Sequence, residues 1–144
     1  MLSGNRQPII RLSILFAIIT IFFLSISLNN SVIVGTDLAS AQKETKVSIV
    51  SGASTMGDKA FSPNPVNIKV GDTVTWTNDD SQPHTVLSGS GSSDPNMGKG
   101  FNSSPNFTNL LITGKTYSHK FNTAGEFPYF CEPHPTMVGK VVVS

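Results

Sequence analysis

Val66-Asn67-Ile68-Lys69-Val70-Gly71-Asp72-Thr73-Val74-Thr75-Trp76-Thr77 alternates apolar and polar side chains on both sides of a Gly-Asp turn. A period of two puts every second side chain on one face, the mark of a strand with one buried side. Two such runs joined by Gly71-Asp72 predict a hairpin. The same period recurs outward. Lys46–Val50 alternates on the N-terminal side. On the C-terminal side, Tyr117, His119 and Phe121 share one parity, as do Phe127, Tyr129 and Cys131, and Val138–Val143 is a β-branched run. No segment beyond residue 42 sustains a helical period. Short strands separated by Gly, Pro, Asn and Asp indicate an all-β sandwich or barrel. Ser51–Pro65 and Ser88–Pro105 read as loops, the second long for a small domain and therefore either functional or mobile. Near its end, Asn102-Ser103-Ser104 and Asn106-Phe107-Thr108 match the glycan-acceptor pattern.

Residues 1–41 have a different character. Arg6 and Arg11 precede Leu12–Leu28, an apolar run whose only polar members are Ser and Thr. A basic start and an apolar core describe an export signal, with Ala39-Ser40-Ala41 as a small-residue cleavage site. The run is short for a bilayer span, but an uncleaved anchor through residues 12–28 is the competing reading. Both place residues 42–144 outside the cytoplasm, because the arginines favour the inner side. That domain carries eight Lys and eight acidic residues, so its formal charge cancels and nothing points to nucleic acid. The chain has one Cys, Cys131, which excludes an internal disulfide. A lone thiol in an exported domain is either a buried apolar residue or a chemical one.

Its neighbours favour chemistry. Cys131-Glu132-Pro133-His134-Pro135-Thr136-Met137 sets thiolate, imidazole and thioether at three-residue spacing, close enough for one loop to wrap one metal. Soft sulfur ligands select copper, imidazole suits both its oxidation states, and a thioether serves as a weak axial ligand. One more imidazole completes a two-His, one-Cys set. His84 follows the polar turn Asn78–Pro83 and opens the run Thr85-Val86-Leu87, which places it at a strand mouth. His119 sits mid-strand with no loop to aim it and is expected to be structural. Taken singly, each of these residues has an ordinary packing explanation; together they do not. Zinc is the rival metal, but it has little use for a thioether. Glu132, directed away from the loop ligands by alternation, is a poor fourth ligand.

The sequence resembles the cupredoxins of the plastocyanin and amicyanin group. The resemblance rests on Phe61-Ser-Pro-Asn-Pro-Val66, Val70–Asn78, Pro83-His84-Thr85-Val86, Ala124–Cys131 and the ligand loop, whose two residues between His134 and Met137 are especially similar to amicyanin. It implies a Greek-key β-sandwich, one type-1 (blue) copper ion at one end held by His84, Cys131, His134 and Met137, and electron transfer at the periplasm or cell surface. Two positions depart from the pattern. Thr85 stands where the group commonly has Asn, so the tie between the two ligand loops must be weaker or differently made. Pro128 stands where a polar residue is usual and cannot donate to a ladder, which marks an edge or a bulge.

The expected function is therefore a monomeric electron carrier, not an enzyme. Redox partner proteins would dock transiently near His134, beside Pro83, Pro135 and Met137. Two other readings compete: copper storage or delivery, for which Met56 and Met97 are loop thioethers, and a catalytic copper oxidoreductase, for which His119 is the spare imidazole.

Overall fold

The structure is a computed structural model that describes residues 41–144. The leader, the apolar run 12–28 and all but the last residue of the cleavage segment lie outside the described residues. Eight strands follow: β1 (Glu44–Ile49), β2 (Phe61–Ser62), β3 (Val66–Ile68), β4 (Thr73–Asn78), β5 (Leu87–Ser88), β6 (Thr116–Lys120), β7 (Gly125–Phe130) and β8 (Val138–Val143). They form two four-stranded sheets, in the orders β2-β1-β4-β6 and β3-β8-β7-β5. The expected all-β sandwich is present, and among the described residues the only helical elements are three single 3₁₀ turns.

The period-two reading assigns the faces correctly. Val74 and Trp76 of β4, Val47 and Ile49 of β1, and Val141 and Val143 of β8 are all buried in one core. Trp76 is fully buried and meets Tyr129 edge-on, with ring centroids 5.3 Å apart, and Phe101 in a stack at 5.7 Å. Burying side chains of this size stabilises by roughly 1.5–3 kcal/mol each, so the sandwich is a rigid base for whatever its end holds.

The hairpin expected across Gly71-Asp72 is not formed. β3 pairs in parallel with β8, whereas β4 pairs in parallel with β1 and antiparallel with β6, so the turn carries the chain from one sheet to the other. The Asp72 side chain directs this corner. Its two oxygens accept the Lys43 and Lys69 amides at 2.9 and 3.0 Å, binding the turn to the start of β1. Alternation is identical in a hairpin and in a corner between sheets; only the long-range partners differ. A second correction lies in Ser51–Pro65, read as loop throughout. It contains two 3₁₀ turns and β2, where Phe61 is buried against β1.

The long Ser88–Pro105 segment folds back on its own strand. Ser88 donates its amide to Phe101 at 3.0 Å, Gly98 donates to Ser88 at 2.7 Å, and Ser103 donates to Val86 at 3.0 Å. It thereby closes the open edge of β5 and drives Phe101 into the core. Pro128 sits beside the end of that short strand. Its carbonyl accepts the Gly89 amide at 2.9 Å. A strand residue's nitrogen and carbonyl point the same way, so the missing donor faces the place where β5 stops, an edge within an inner strand.

Candidate metal centre

The first ligand loop is built on a buried amide. Asn78, the last residue of β4, is fully buried and donates from Nδ2 to the carbonyls of Gln82 and Leu111, both at 2.7 Å. Its Oδ1 accepts the Asp80 amide at 2.9 Å. This closes the Asn78–Pro83 turn and delivers His84 to an isolated antiparallel bridge with Leu111, bonded in both directions at 3.0 and 2.9 Å. His84 is fully buried at this strand mouth.

The second loop leaves β7 at Cys131. The Cys131 amide donates to the Met137 carbonyl at 3.1 Å, and the Met137 amide donates to the His134 carbonyl at 2.9 Å. These two bonds fold the seven-residue loop onto itself, while Pro133 and Pro135 fix φ on either side of His134. Cys131 and Met137 are fully buried and belong to the core; His134 is half-buried.

The two loops converge. Cys131 Sγ lies 3.6 Å from His84 Nδ1 and 3.7 Å from His134 Nδ1. One ligand atom from each of the three residues falls within 4.8 Å of the others. His84 Nε2 lies 2.9 Å from Asp80 Oδ2, and an ionised carboxylate only accepts, so Nε2 carries the proton and Nδ1 presents a lone pair. Two ring nitrogens and a sulfur thus face one point, and with His134 protonated on Nε2 and Cys131 ionised all three would present lone pairs there. A cation among those lone pairs is the partner such a cluster suits, and the soft donor set fits copper. Burial pushes the Cys131 thiol up, opposed chiefly by the Thr85 amide, so a bound cation would be needed to hold the thiolate. Burial, reinforced by His84, pushes His134 down and keeps its ring neutral and able to ligate. The His84 ring and the Gly52 amide hold Asp80 well below the usual carboxylate range, down to about 2.

The tie between loops, questioned because Thr85 replaces Asn, is made by a hydroxyl. Thr85 Oγ1 accepts the Glu132 amide at 2.9 Å and points its proton to Cys131 Sγ at 3.9 Å, while the Thr85 amide donates to Sγ at 3.4 Å. His119 lies outside this group. Its ring packs between Phe101 and Phe121, each at 4.9 Å. Glu132 is likewise outside the metal-competent cluster. Sequence reasoning missed Asp80. Its signal was an acid four residues before a candidate ligand, close enough for a tight turn to bring the two together.

Residues 45–144 match the family model described as copper binding proteins of the plastocyanin/azurin family. The chain belongs to that family. Chloroplastic plastocyanin of Tetradesmus obliquus is 42% identical over 89 residues, which is 60% of this chain and 60% of that protein. Amicyanin-alpha of Methylorubrum extorquens is 43% identical over 83 residues, covering 58% of this chain and 63% of its own length. The matched stretch thus spans under two thirds of either relative. A solved structure described as a novel purple cupredoxin from Nitrosopumilus maritimus superposes with a TM-score of 0.58 at 39% identity, covering 69% of this chain and 99% of that one. As a cupredoxin, the protein has copper as its cofactor, and the converging His84, Cys131 and His134 are where its fold offers the soft donors.

Proposed function

We propose that this cupredoxin is a one-electron carrier whose single type-1 copper is held by His84, Cys131, His134 and Met137. One observation carries the reading: three lone-pair donors from two separately braced loops meet at one end of a rigid sandwich, with only His134 reaching toward solvent. Bound copper supplies the one-electron couple. The protein's part is to hold donors of compromise geometry still. His84 is fixed by its bridge to Leu111, and Cys131 by its amide bond to Met137 and by the donors on Thr85. Met137 is held in the core, where its thioether would supply copper with a weak further donor. His134, flanked by exposed Pro133 and Pro135, gives the electron a short path to a partner. The cancelling formal charge of residues 42–144 suits brief redox encounters without strong electrostatic steering.

The rival readings draw less support. Met56 is exposed and Met97 half-buried, whereas the donors that converge are His84, Cys131 and His134. The spare imidazole for catalysis, His119, is committed to the aromatic core. We further propose a monomeric domain over residues 42–144, exported behind residues 1–41. That segment acts as a cleaved signal or as an anchor through residues 12–28. Among the described residues no helix is long and apolar enough to cross a membrane.

The test is electron exchange by the copper-loaded protein. Mixed oxidised and reduced samples should exchange electrons without loss of copper, broadening the resonances of residues around His134, and Pro135→Glu should slow transfer to a protein partner. Rapid surrender of copper to a competing chelator, with no exchange, would instead support delivery. Colour is a separate readout: blue is expected, and a purple form would correct the colour while leaving the carrier reading in place.

A further inference from the structure

Asp80 is a carboxylate only 3% exposed, and every hydrogen bond it accepts is accounted for. Its Oδ1 accepts the Ser81 and Gly52 amides at 2.7 and 3.1 Å, and its Oδ2 accepts His84 Nε2 at 2.9 Å. Its backbone is pinned on both sides. The amide donates to Asn78 Oδ1 at 2.9 Å, and the carbonyl accepts the Thr113 hydroxyl at 2.7 Å. Among the described residues, no carboxylate bonds the His134 ring. The two imidazoles of the site are therefore unequal: one is clamped by a buried anion, the other is half-buried between prolines.

We propose that Asp80 is a positioning residue for the copper centre, which fixes the tautomer and aim of His84 and, as a buried anion, favours copper(II) over copper(I). The inference rests on the ligand assignment above. The first half follows from proton counting. A neutral imidazole has one N–H, and with Nε2 donating to Asp80, Nδ1 is bare and directed at the site. The opposite tautomer would set a nitrogen lone pair against a carboxylate lone pair in a buried place. The second half follows from charge. A negative group bonded to a ligand raises its basicity and stabilises the more highly charged metal state. Low polarity around Asp80 and His84 strengthens the effect relative to an exposed acid.

Asp80→Asn keeps the size and the Oδ1 acceptor for Gly52 and Ser81. It removes the charge and turns an N–H donor toward His84 Nε2–H. Loss of such a partner typically lowers metal affinity about 10–100-fold. A tenfold loss confined to copper(II) raises a one-electron potential by about 59 mV. The experiment uses the full chain loaded with copper and measures midpoint potential and copper(II) affinity for Asp80→Asn, Asp80→Glu and Asp79→Asn. Asp79 is an exposed neighbour whose carboxylate accepts from Ser48, so it controls for charge alone. The expected result is a raised potential and about tenfold weaker copper(II) binding in Asp80→Asn, partial return in Asp80→Glu, and little change in Asp79→Asn. A folded Asp80→Asn variant with unchanged or lowered potential overturns the proposal. So does an equal shift in Asp79→Asn. Should Asp80→Asn not fold, nitrogen-15 correlation spectra of the metal-free wild-type protein decide, where no metal fixes the tautomer: a proton on His84 Nε2 supports the proposal, and one on Nδ1 overturns it. Failure of the ligand assignment looks different: His84→Gly would then keep the native copper spectrum.

Discussion

Replacing Thr85 with Val tests how the two ligand loops are joined. Thr85 is fully buried, and its hydroxyl both accepts from the Glu132 amide at 2.9 Å and points to Cys131 Sγ at 3.9 Å. Valine has nearly the same shape but neither function. Leaving a buried N–H without a partner costs about 1–3 kcal/mol. Glu132 is only half-buried, and the new methyl gains some apolar contact, so the expected loss is about 1–2 kcal/mol, the lower part of that range. For a domain of this size each kcal/mol moves the melting temperature by about 4–8 °C. The metal-free variant should therefore melt roughly 4–16 °C below wild type, with an unchanged denaturant m-value because the surface exposed on unfolding is the same. The redox consequence has the opposite sign to that of Asp80→Asn. A donor to the electron-rich sulfur favours the reduced state, so removing it lowers the potential. At 3.9 Å the bond is long and the Thr85 amide remains, so the fall should stay below about 59 mV, the equivalent of a tenfold ratio. Thermal melts of metal-free protein and voltammetry of the copper form measure both. An unchanged melting temperature together with an unchanged or raised potential would refute the role given to the hydroxyl.

Other outcomes follow from the same contacts. Gly139 lies directly opposite Tyr129 on β8, and a Cβ there would sit 2.6 Å from the phenol oxygen of a buried ring; Gly139→Ala should cost about 1–3 kcal/mol or more, read by chemical denaturation. The Lys69 and Lys43 amides hold the Asp72 carboxylate below its ordinary 3.8, so its contribution to stability is complete above that value and is lost as pH falls through the lowered pKa. Melting temperature should decline over that acid window, and more shallowly in Asp72→Asn, which should already be weaker at neutral pH. Met137→Leu should retain intense colour but raise the potential, since a thioether donor preferentially stabilises copper(II), whereas His119→Ala should leave both the spectrum and the potential unchanged.

What the sequence makes legible here is local. Period-two alternation finds β4, β6, β7 and β8 and places Val74, Trp76 and Tyr129 inward, because burial on one face of a strand writes itself directly into residue order. The ligand loop is equally local: Cys131, His134 and Met137 lie within seven residues, and the bonds that fold the loop are between its own members. Partnership between distant segments leaves no such trace. The pairing of β3 with β8, rather than with β4, depends on residues more than seventy positions away. Phe101 shows the same limit from a polar, Gly-rich segment, since its burial comes from a loop folding back on β5. Asp80 went unnoticed because an acid beside a second acid in a turn reads as a solvated pair; only the geometry separates exposed Asp79 from buried Asp80. Thr85 shows that a departure from a family pattern need not remove the function of the usual residue. A hydroxyl supplies one donor and one acceptor, enough to bridge Glu132 and Cys131.

The central claim is that Cys131, with His84 and His134, holds copper as a thiolate complex. The most direct measurement is the visible spectrum of wild-type and Cys131→Ser protein during titration with copper(II). Wild type should develop an intense thiolate-to-copper charge-transfer band that saturates at one copper per chain and bleaches reversibly on one-electron reduction. Cys131→Ser, which leaves the chain without a thiol, should show no such band. A wild-type protein that binds one copper with only weak visible absorption, or a serine variant that keeps the intense band, would contradict it.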